Sequence, residues 1–263
     1  MVNKFIENIF IKVQNGEENY IMDILICGAG VMANFVKESV ENSGMKCVGM
    51  YDPFGNGDYK EFSDITENVD AIIDFSHFSL TNKILEYAIS IRKPVVIATT
   101  GHTDEQKNEI KEASKKIAIL KATNTSLGVN IMNEIVAYAT RLLVDFDIEL
   151  IEKHHNRKID APSGTAITLL ETINSSLSDK KSYIYGREGN NKRGNNEIGV
   201  HSIRAGNIVG EHSIIYSNGD EVIEIKHEAL SRRIFSDGAV KAVLFLVNKN
   251  NGYYGMRDVL NIK

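Results

Sequence analysis

Hydrophobic and polar positions follow two rhythms along this chain. From Met22 to about residue 120, short unbroken apolar runs alternate with stretches of helical spacing. Asp23 to Cys27, Lys46 to Tyr51, Val69 to Phe75, Pro94 to Ala98 and Ile117 to Leu120 read as buried strands, and residues 34–40, 81–91 and 104–116 as the helices between them. That alternation predicts a doubly wound, parallel, Rossmann-like α/β sheet. From Asp145 the rhythm becomes strict alternation, with Phe146, Ile148 and Leu150 on one face, and it recurs at His212 to Tyr216 and Glu221 to Lys226. This predicts half-exposed strands of a mixed or antiparallel sheet in a second, α+β domain, with an open face suited to association between copies. Residues 166–173 and 238–247 carry helical apolar spacing, and 238–247 is expected to pack back on the first domain. Arg187 to Asn196, rich in Gly and Asn, reads as flexible surface.

Composition narrows the function. A chain of 263 residues can bury one large core or two modest ones, and a net charge of −5 argues against non-specific nucleic-acid binding. Two cysteines, Cys27 and Cys47, fall in strands where a thiol acts as a small apolar group, so a disulfide is not expected. No apolar run reaches the roughly 20 residues of a membrane helix, and the N-terminus lacks a signal-peptide core; a cytoplasmic location is expected. Residues 1–21 read as an extension, with Met22 as an alternative start.

The first strand runs directly into Gly28-Ala29-Gly30-Val31-Met32-Ala33. In a dinucleotide turn Gly28 permits the tight bend, Gly30 leaves room for the pyrophosphate, and Ala33 allows the helix to pack closely. The second strand ends at Asp52, where an acidic residue grips the adenosine ribose. Strand, turn, helix, strand and acid together predict a nicotinamide cofactor. The neighbour of Asp52 is Pro53 rather than Arg, so NADH is expected to be accepted at least as readily as NADPH. Ligands of such sheets lie beyond the C-terminal strand ends. Expected cofactor contacts are therefore Gly28, Ala29, Gly30, Val31, Met32 and Asp52, with Ala98, Thr99, Thr100, Ala122, Thr123, Asn124 and Thr125. His77, at another strand end, is left outside this set.

The densest chemistry lies in His154-His155-Asn156-Arg157-Lys158-Ile159-Asp160-Ala161-Pro162-Ser163-Gly164-Thr165. Read as extended chain, His154, Asn156 and Lys158 share a face, so an imidazole and an amine could act as a proton-donor pair. Ser163 is a candidate N-cap, and the N–H groups of Gly164 and Thr165 at the head of a helix would hold a carboxylate. A lone His or Lys is usually a solvated surface group; the clustering of several is what argues for a site. No metal-ligand set is expected.

The chain resembles the 4-hydroxy-tetrahydrodipicolinate reductase family from Met22 onward. The resemblance is carried by Glu152 to Ala166, and by Asp74-Phe75-Ser76, Thr99-Thr100-Gly101, Asn124 to Asn130, Arg204 to His212 and Met256 to Leu260. It departs in a glycine motif one residue shorter, ending in Ala33, and in Ala98 where Gly is common. The resemblance implies hydride transfer to a cyclic, imine-like dicarboxylate formed by dehydration, followed by protonation, in diaminopimelate and lysine biosynthesis. It implies His154 as proton donor or acceptor, Lys158 as proton donor, and His155, Gly164 and Thr165, with Ser163, as substrate holders. It also implies a homotetramer joined through the second domain's sheet. The expected domains are residues 22–126 with 234–263 for the dinucleotide, and 127–233 for substrate and oligomerisation. Two other readings remain: an amino-acid dehydrogenase acting on a simple dicarboxylate, against which the His pair with Lys158 and the Ser-Gly-Thr turn argue, and a nucleotide sensor without catalysis.

Overall fold

The computed structural model describes residues 21–262, so all of the expected N-terminal extension except Ile21 lies outside the described residues. The chain forms two compact units. One runs to Ile119 and takes in Leu246–Tyr253; the other holds Leu120–Phe245 and resumes at Tyr254.

In the first unit the elements follow the alternation of the sequence: β1 (Asp23–Cys27), α1 (Val31–Asn42), β2 (Lys46–Tyr51), β3 (Ala71–Asp74), α2 (Thr81–Ile91), β4 (Val95–Ile97), α3 (Asp104–Ala113) and β5 (Ala118–Lys121). With β11 (Gly252–Tyr254) they form a six-stranded sheet in the order β11-β5-β4-β3-β1-β2, and β1 pairs in parallel with both β2 and β3. Ile24, Leu25, Ile26 and Cys27 are all fully buried, as a strand covered on both faces requires. Helix α1 begins at Val31, three residues earlier than the periodicity suggests, because Gly30 already occupies its N-cap. It buries Ala33, Val36 and Val40, a stripe of helical spacing. Helix α3 starts at Asp104 because Thr103 and Gln106 cap each other reciprocally. Both cysteines are free.

The second unit contains α4 (Leu127–Leu142), β6 (Asp147–His154), α5 (Gly164–Ser176), β7 (Ser182–Tyr185), β8 (Glu197–Arg204), β9 (Gly210–Asn218), β10 (Glu221–Ala229), α6 (Arg233–Leu246) and α7 (Met256–Val259). Its sheet runs β10-β9-β6-β8-β7. β6 pairs antiparallel with β9 and parallel with β8, so the sheet is mixed. One face is the core: Ile148, Leu150, Ile198, Val200, Ile214 and Tyr216 meet Met132 and Val136 of α4 and Leu169, Leu170 and Ile173 of α5. Each such buried aliphatic side chain contributes about 1.5–3 kcal/mol.

Three differences from the sequence reading have physical causes. Helix α4 escapes a single-stripe pattern because Ile131, Ile135, Tyr138 and Leu142 are exposed while Met132 and Val136 are buried, so apolar residues occupy more than one face. Strands β7 and β8 escape because β7 is a four-residue edge strand and β8 carries Gly199 and charged ends. The Gly/Asn-rich loop is anchored: Arg187 pairs with Glu149 at 2.9 Å and with Glu197, and Arg193 pairs with Asp147 at 2.6 Å and with Glu149.

Candidate functional site

In the first unit, Gly28, Ala29 and Gly30 form the turn between β1 and α1, with Val31 and Met32 opening the helix. Gly28 has φ +102°, and a Cβ there would lie 2.7 Å from the Phe75 carbonyl oxygen, so only glycine lets β1 turn against β3. Gly30 caps α1 without a side-chain hydrogen bond, and the space where its Cβ would stand is open. The head of a twelve-residue helix therefore faces open space, which fits a pyrophosphate. Asp52 ends β2, but its Oδ1 already accepts from the N–H groups of Phe54 at 3.0 Å and Gly55 at 2.9 Å, which leaves Oδ2 for a ligand hydroxyl. A cation also stands here. Lys60 Nζ donates to the Asp52 carbonyl at 3.1 Å and to the Gly55 carbonyl. The cation lies eight positions beyond Asp52, not directly after it, because the 52–59 loop folds back through the Asp52 N–H to Tyr59 carbonyl bond. At the end of β4, Ala98 donates its N–H to the Asp74 carbonyl, Thr99 is buried and Thr100 is exposed.

The remaining expected residues belong to the second unit. Alternation along β6 puts Ile148, Leu150, Glu152 and His154 on one buried face, so the strand runs from apolar core to ionisable site along a single side. The alternation stops at His154. Asn156 donates its N–H to the Gly206 carbonyl and Lys158 to the His155 carbonyl, so the chain turns, and the extended arrangement expected for His154, Asn156 and Lys158 is not formed. Lys158 is largely buried and its amine pairs with Asp160 at 2.8 Å.

His154 Nδ1 lies 2.5 Å from Glu152 Oε2. Glu152 is fully buried and also receives a two-pronged contact from Arg204, Nη1 to Oε2 at 2.8 Å and Nη2 to Oε1 at 2.6 Å. Burial alone would raise the pKa of this carboxyl; hydrogen bonds from His154, Arg204 and Ser202 outweigh it and hold the group ionised, well below the usual carboxylate range. An ionised carboxylate only accepts, so Nδ1 of His154 carries the proton and Nε2 is left for a ligand. Gly210 stands opposite; a Cβ there would sit 3.1 Å from Nε2, so glycine leaves that edge of the ring uncrowded.

Ser163 caps α5, its Oγ accepting from the Ala166 N–H at 3.2 Å. The hydroxyl also meets His212 Nε2 at 2.8 Å, and the Ser163 N–H donates to Glu152 Oε1 at 3.1 Å. Ser163 is thus buried and fully engaged, and it fixes the start of the helix whose first N–H groups, those of Gly164 and Thr165, have no intrahelical acceptor. Thr165 Oγ1 accepts from Asn124 Nδ2 at 3.1 Å, which ties the 122–125 turn to this cradle. Within that turn Thr125 is buried, with its hydroxyl on the Phe235 carbonyl at 2.6 Å, while Ala122 is buried and Thr123 exposed.

His155 meets Arg232 across 3.4 Å, and its Nδ1 is buried without a hydrogen-bond partner. Desolvation and then the charges of Arg157, Arg232, His154 and Lys158 push its pKa down. His212 packs its ring edgewise on His154, with centroids 5.2 Å apart, and burial lowers its pKa to about 3. Glu152, Arg204, His212 and Arg232 were absent from the expected site. Glu152 had a legible signal, a charged residue on the face otherwise holding Ile148 and Leu150; the other three come from distant segments that only the fold brings in.

Comparison with known proteins follows the same division. The family model described as dihydrodipicolinate reductase, N-terminus, matches residues 22–125, and that for the C-terminus matches residues 128–260. The chain belongs to the dihydrodipicolinate reductase family. Among its relatives is a protein of Brachyspira hyodysenteriae named 4-hydroxy-tetrahydrodipicolinate reductase, 46% identical over 240 residues that cover 91% of this chain and all of the relative. A second of that name, from Clostridium novyi, is 43% identical over 89% of this chain and 96% of its own length. The dipicolinate-bound dihydrodipicolinate reductase from Paenisporosarcina sp. TG-14 shares the fold of this family member with a TM-score of 0.72 at 21% identity, covering 91% of this chain and 99% of that one.

Proposed function

We propose that this family member reduces the dehydrated, cyclic imine form of 4-hydroxy-tetrahydrodipicolinate to tetrahydrodipicolinate at the expense of a nicotinamide cofactor, in diaminopimelate and lysine biosynthesis. The observation that carries the reading is the convergence of His154, His155, Lys158 and Arg232 with the open head of α5, a set of cations, imidazoles and backbone donors matched to a dianionic ring. The relatives' shared name supports it.

The reduced nicotinamide, when bound, supplies hydride. The chain's own residues do the rest. Gly28 to Met32, Asp52, Ala98 to Thr100 and Ala122 to Thr125 hold the cofactor, in a dinucleotide domain of residues 22–126 and 234–263. The N–H groups of Gly164 and Thr165 hold one carboxylate of the substrate, with Ser163 setting their position. The buried, unpartnered Nδ1 of His155 and the Arg232 guanidinium supply donors for the other. Hydride uptake leaves negative charge on a ring atom, and a proton from Lys158 Nζ, or from His154 Nε2 when that ring has first taken up a second proton, quenches it. The simple dicarboxylate dehydrogenase has no need of this many cations, and a mere nucleotide sensor none for the ion-paired imidazole.

NADH and NADPH are both substrates on this reading, because Lys60 stands beside Asp52 as a counter-charge for a 2′-phosphate. The assembly is a homotetramer of 29.3 kDa chains joined through the second unit's sheet, whose exposed Ile203, Val222 and Ile223 would be covered. Among the described residues no helix is long and apolar enough to cross a membrane; the cytoplasm is the compartment of the proposed chemistry. The test is a coupled assay in which substrate is generated from pyruvate and aspartate semialdehyde and cofactor oxidation is followed at 340 nm, about where reduced nicotinamide absorbs. Oxidation of either cofactor that depends on this substrate is expected, and none with either would refute the proposal.

A further inference from the structure

Glu152 presents a problem that its strand does not. Ile148 and Leu150 precede it on the same buried face, and an apolar residue would continue that core without the desolvation cost of a charge, which amounts to several kcal/mol per ion in a protein interior. The carboxylate instead accepts from His154, Ser163, Ser202 and both prongs of Arg204, and its two oxygens are divided between two jobs. Oε2 faces the His154 imidazole, and Oε1 accepts the Ser163 N–H that immediately precedes α5. Arg204 grips both oxygens, and its Nη2 also donates to the Asp160 carbonyl at 2.6 Å, which pins the loop leading to Ser163. The strand register explains how these groups meet: Glu152 lies opposite Ser202 on β8 and His212 on β9, and His154 lies opposite Arg204.

We infer that Glu152, clamped by Arg204, is a positioning residue that couples the tautomer of His154 to the placement of the substrate-carboxylate cradle at Gly164 and Thr165. One oxygen fixes the proton on Nδ1 so that Nε2 serves the reaction, and the other fixes where the helix head begins. A shift of this one carboxylate misplaces both. The inference rests on the reading of His154 as a proton-transfer group.

Glu152→Gln tests it, since the carboxamide keeps the shape but cannot accept on both arms. With its NH2 toward His154 it stabilises the wrong tautomer; with its NH2 toward Ser163 it confronts an N–H. Expected are a fall in kcat of about 10²- to 10⁴-fold, the range for loss of a positioned acid or base, a rise in substrate KM, and an unchanged Kd for NADH by fluorescence titration. Glu152→Asp, which keeps the charge but is too short to span both arms, should recover part of kcat and leave KM raised. If Glu152→Gln does not fold, Arg204→Lys, which keeps the charge and loses the fork, should raise KM and lower kcat in the same sense. Full activity and an unchanged substrate KM in the folded variants overturn the proposal while His154→Ala remains inactive; a wild-type protein without turnover, or an active His154→Ala variant, removes the reading beneath it instead.

Discussion

The two sheets of this molecule place function differently. In the first, the strands are apolar throughout: β1 buries four consecutive residues, and what a ligand would meet is backbone at the strand ends, the Gly28 turn and the open head of α1. In the second, a single strand changes character along its length, from Ile148 and Leu150 to Glu152 and His154, so that on the proposed function side chains carried within the sheet face make the chemistry. A site made of backbone tolerates many side chains but no Cβ at one or two positions. A site made of buried charge depends on partners supplied by other strands, and removing one of them strands the rest.

Substitutions can break this contrast, beginning where the effect is largest. Changing both His154 and Lys158 to Ala should lower turnover by about 10⁴-fold or more in steady-state assays, since proton transfer by a positioned side chain contributes about 10²- to 10⁴-fold for each group. Gly28→Ala attacks the backbone side. The φ of +102° and the 2.7 Å approach to the Phe75 carbonyl should cost about 1–3 kcal/mol in urea unfolding and weaken NADH binding about tenfold or more, with kcat at saturation changed less. A loss of kcat alone would show that the turn does something besides hold cofactor.

Acid stability sharpens the other side. His212, held neutral by burial, with the His154, His227 and Lys158 charges lowering and Glu152 raising its pKa, titrates near 3 when folded against an ordinary value of 6.5. The unfolded chain therefore binds a proton that the folded one refuses. The stability conferred by the neutral ring is intact above about pH 6.5 and falls as the pH drops towards 3, by roughly 1.4 kcal/mol per unit at most. His212→Gln should flatten that slope between about pH 6 and 4 in denaturant titrations; an unchanged slope would assign acid sensitivity elsewhere. The smallest effect belongs to Lys60→Ala, which should raise the Kd for NADPH about three- to tenfold while leaving that for NADH within about twofold, as expected for one exposed charge contact.

Legibility in the sequence followed the same line. Most of the first unit could be read, because strand burial, turn chemistry and helix capping are local: β1 and α2 run over the residues that periodicity marks, α1 starts early because Gly30 caps it, and α3 stops at Ala113, while β11 joins the sheet from a distant segment that the alternation does not mark. The cluster from His154 to Thr165 could be read as chemistry, but not as geometry. Its extended alternation ends at His154, and the groups that hold it, Arg204, His212 and Arg232, are 49 or more positions downstream of the residues they contact. Glu152 could have been found by asking why a carboxylate sits on an otherwise apolar face. Lys60 could not, because it reaches Asp52 only through a loop whose fold the alternation does not encode.

The account stands on the separation of cofactor binding from proton transfer, and the His154→Ala, Lys158→Ala double variant measures it most directly. Its Kd for NADH, taken by calorimetry alongside the turnover assay, should stay within about threefold of the parent protein while turnover collapses. Equal losses of binding and turnover would contradict the roles given to both residues.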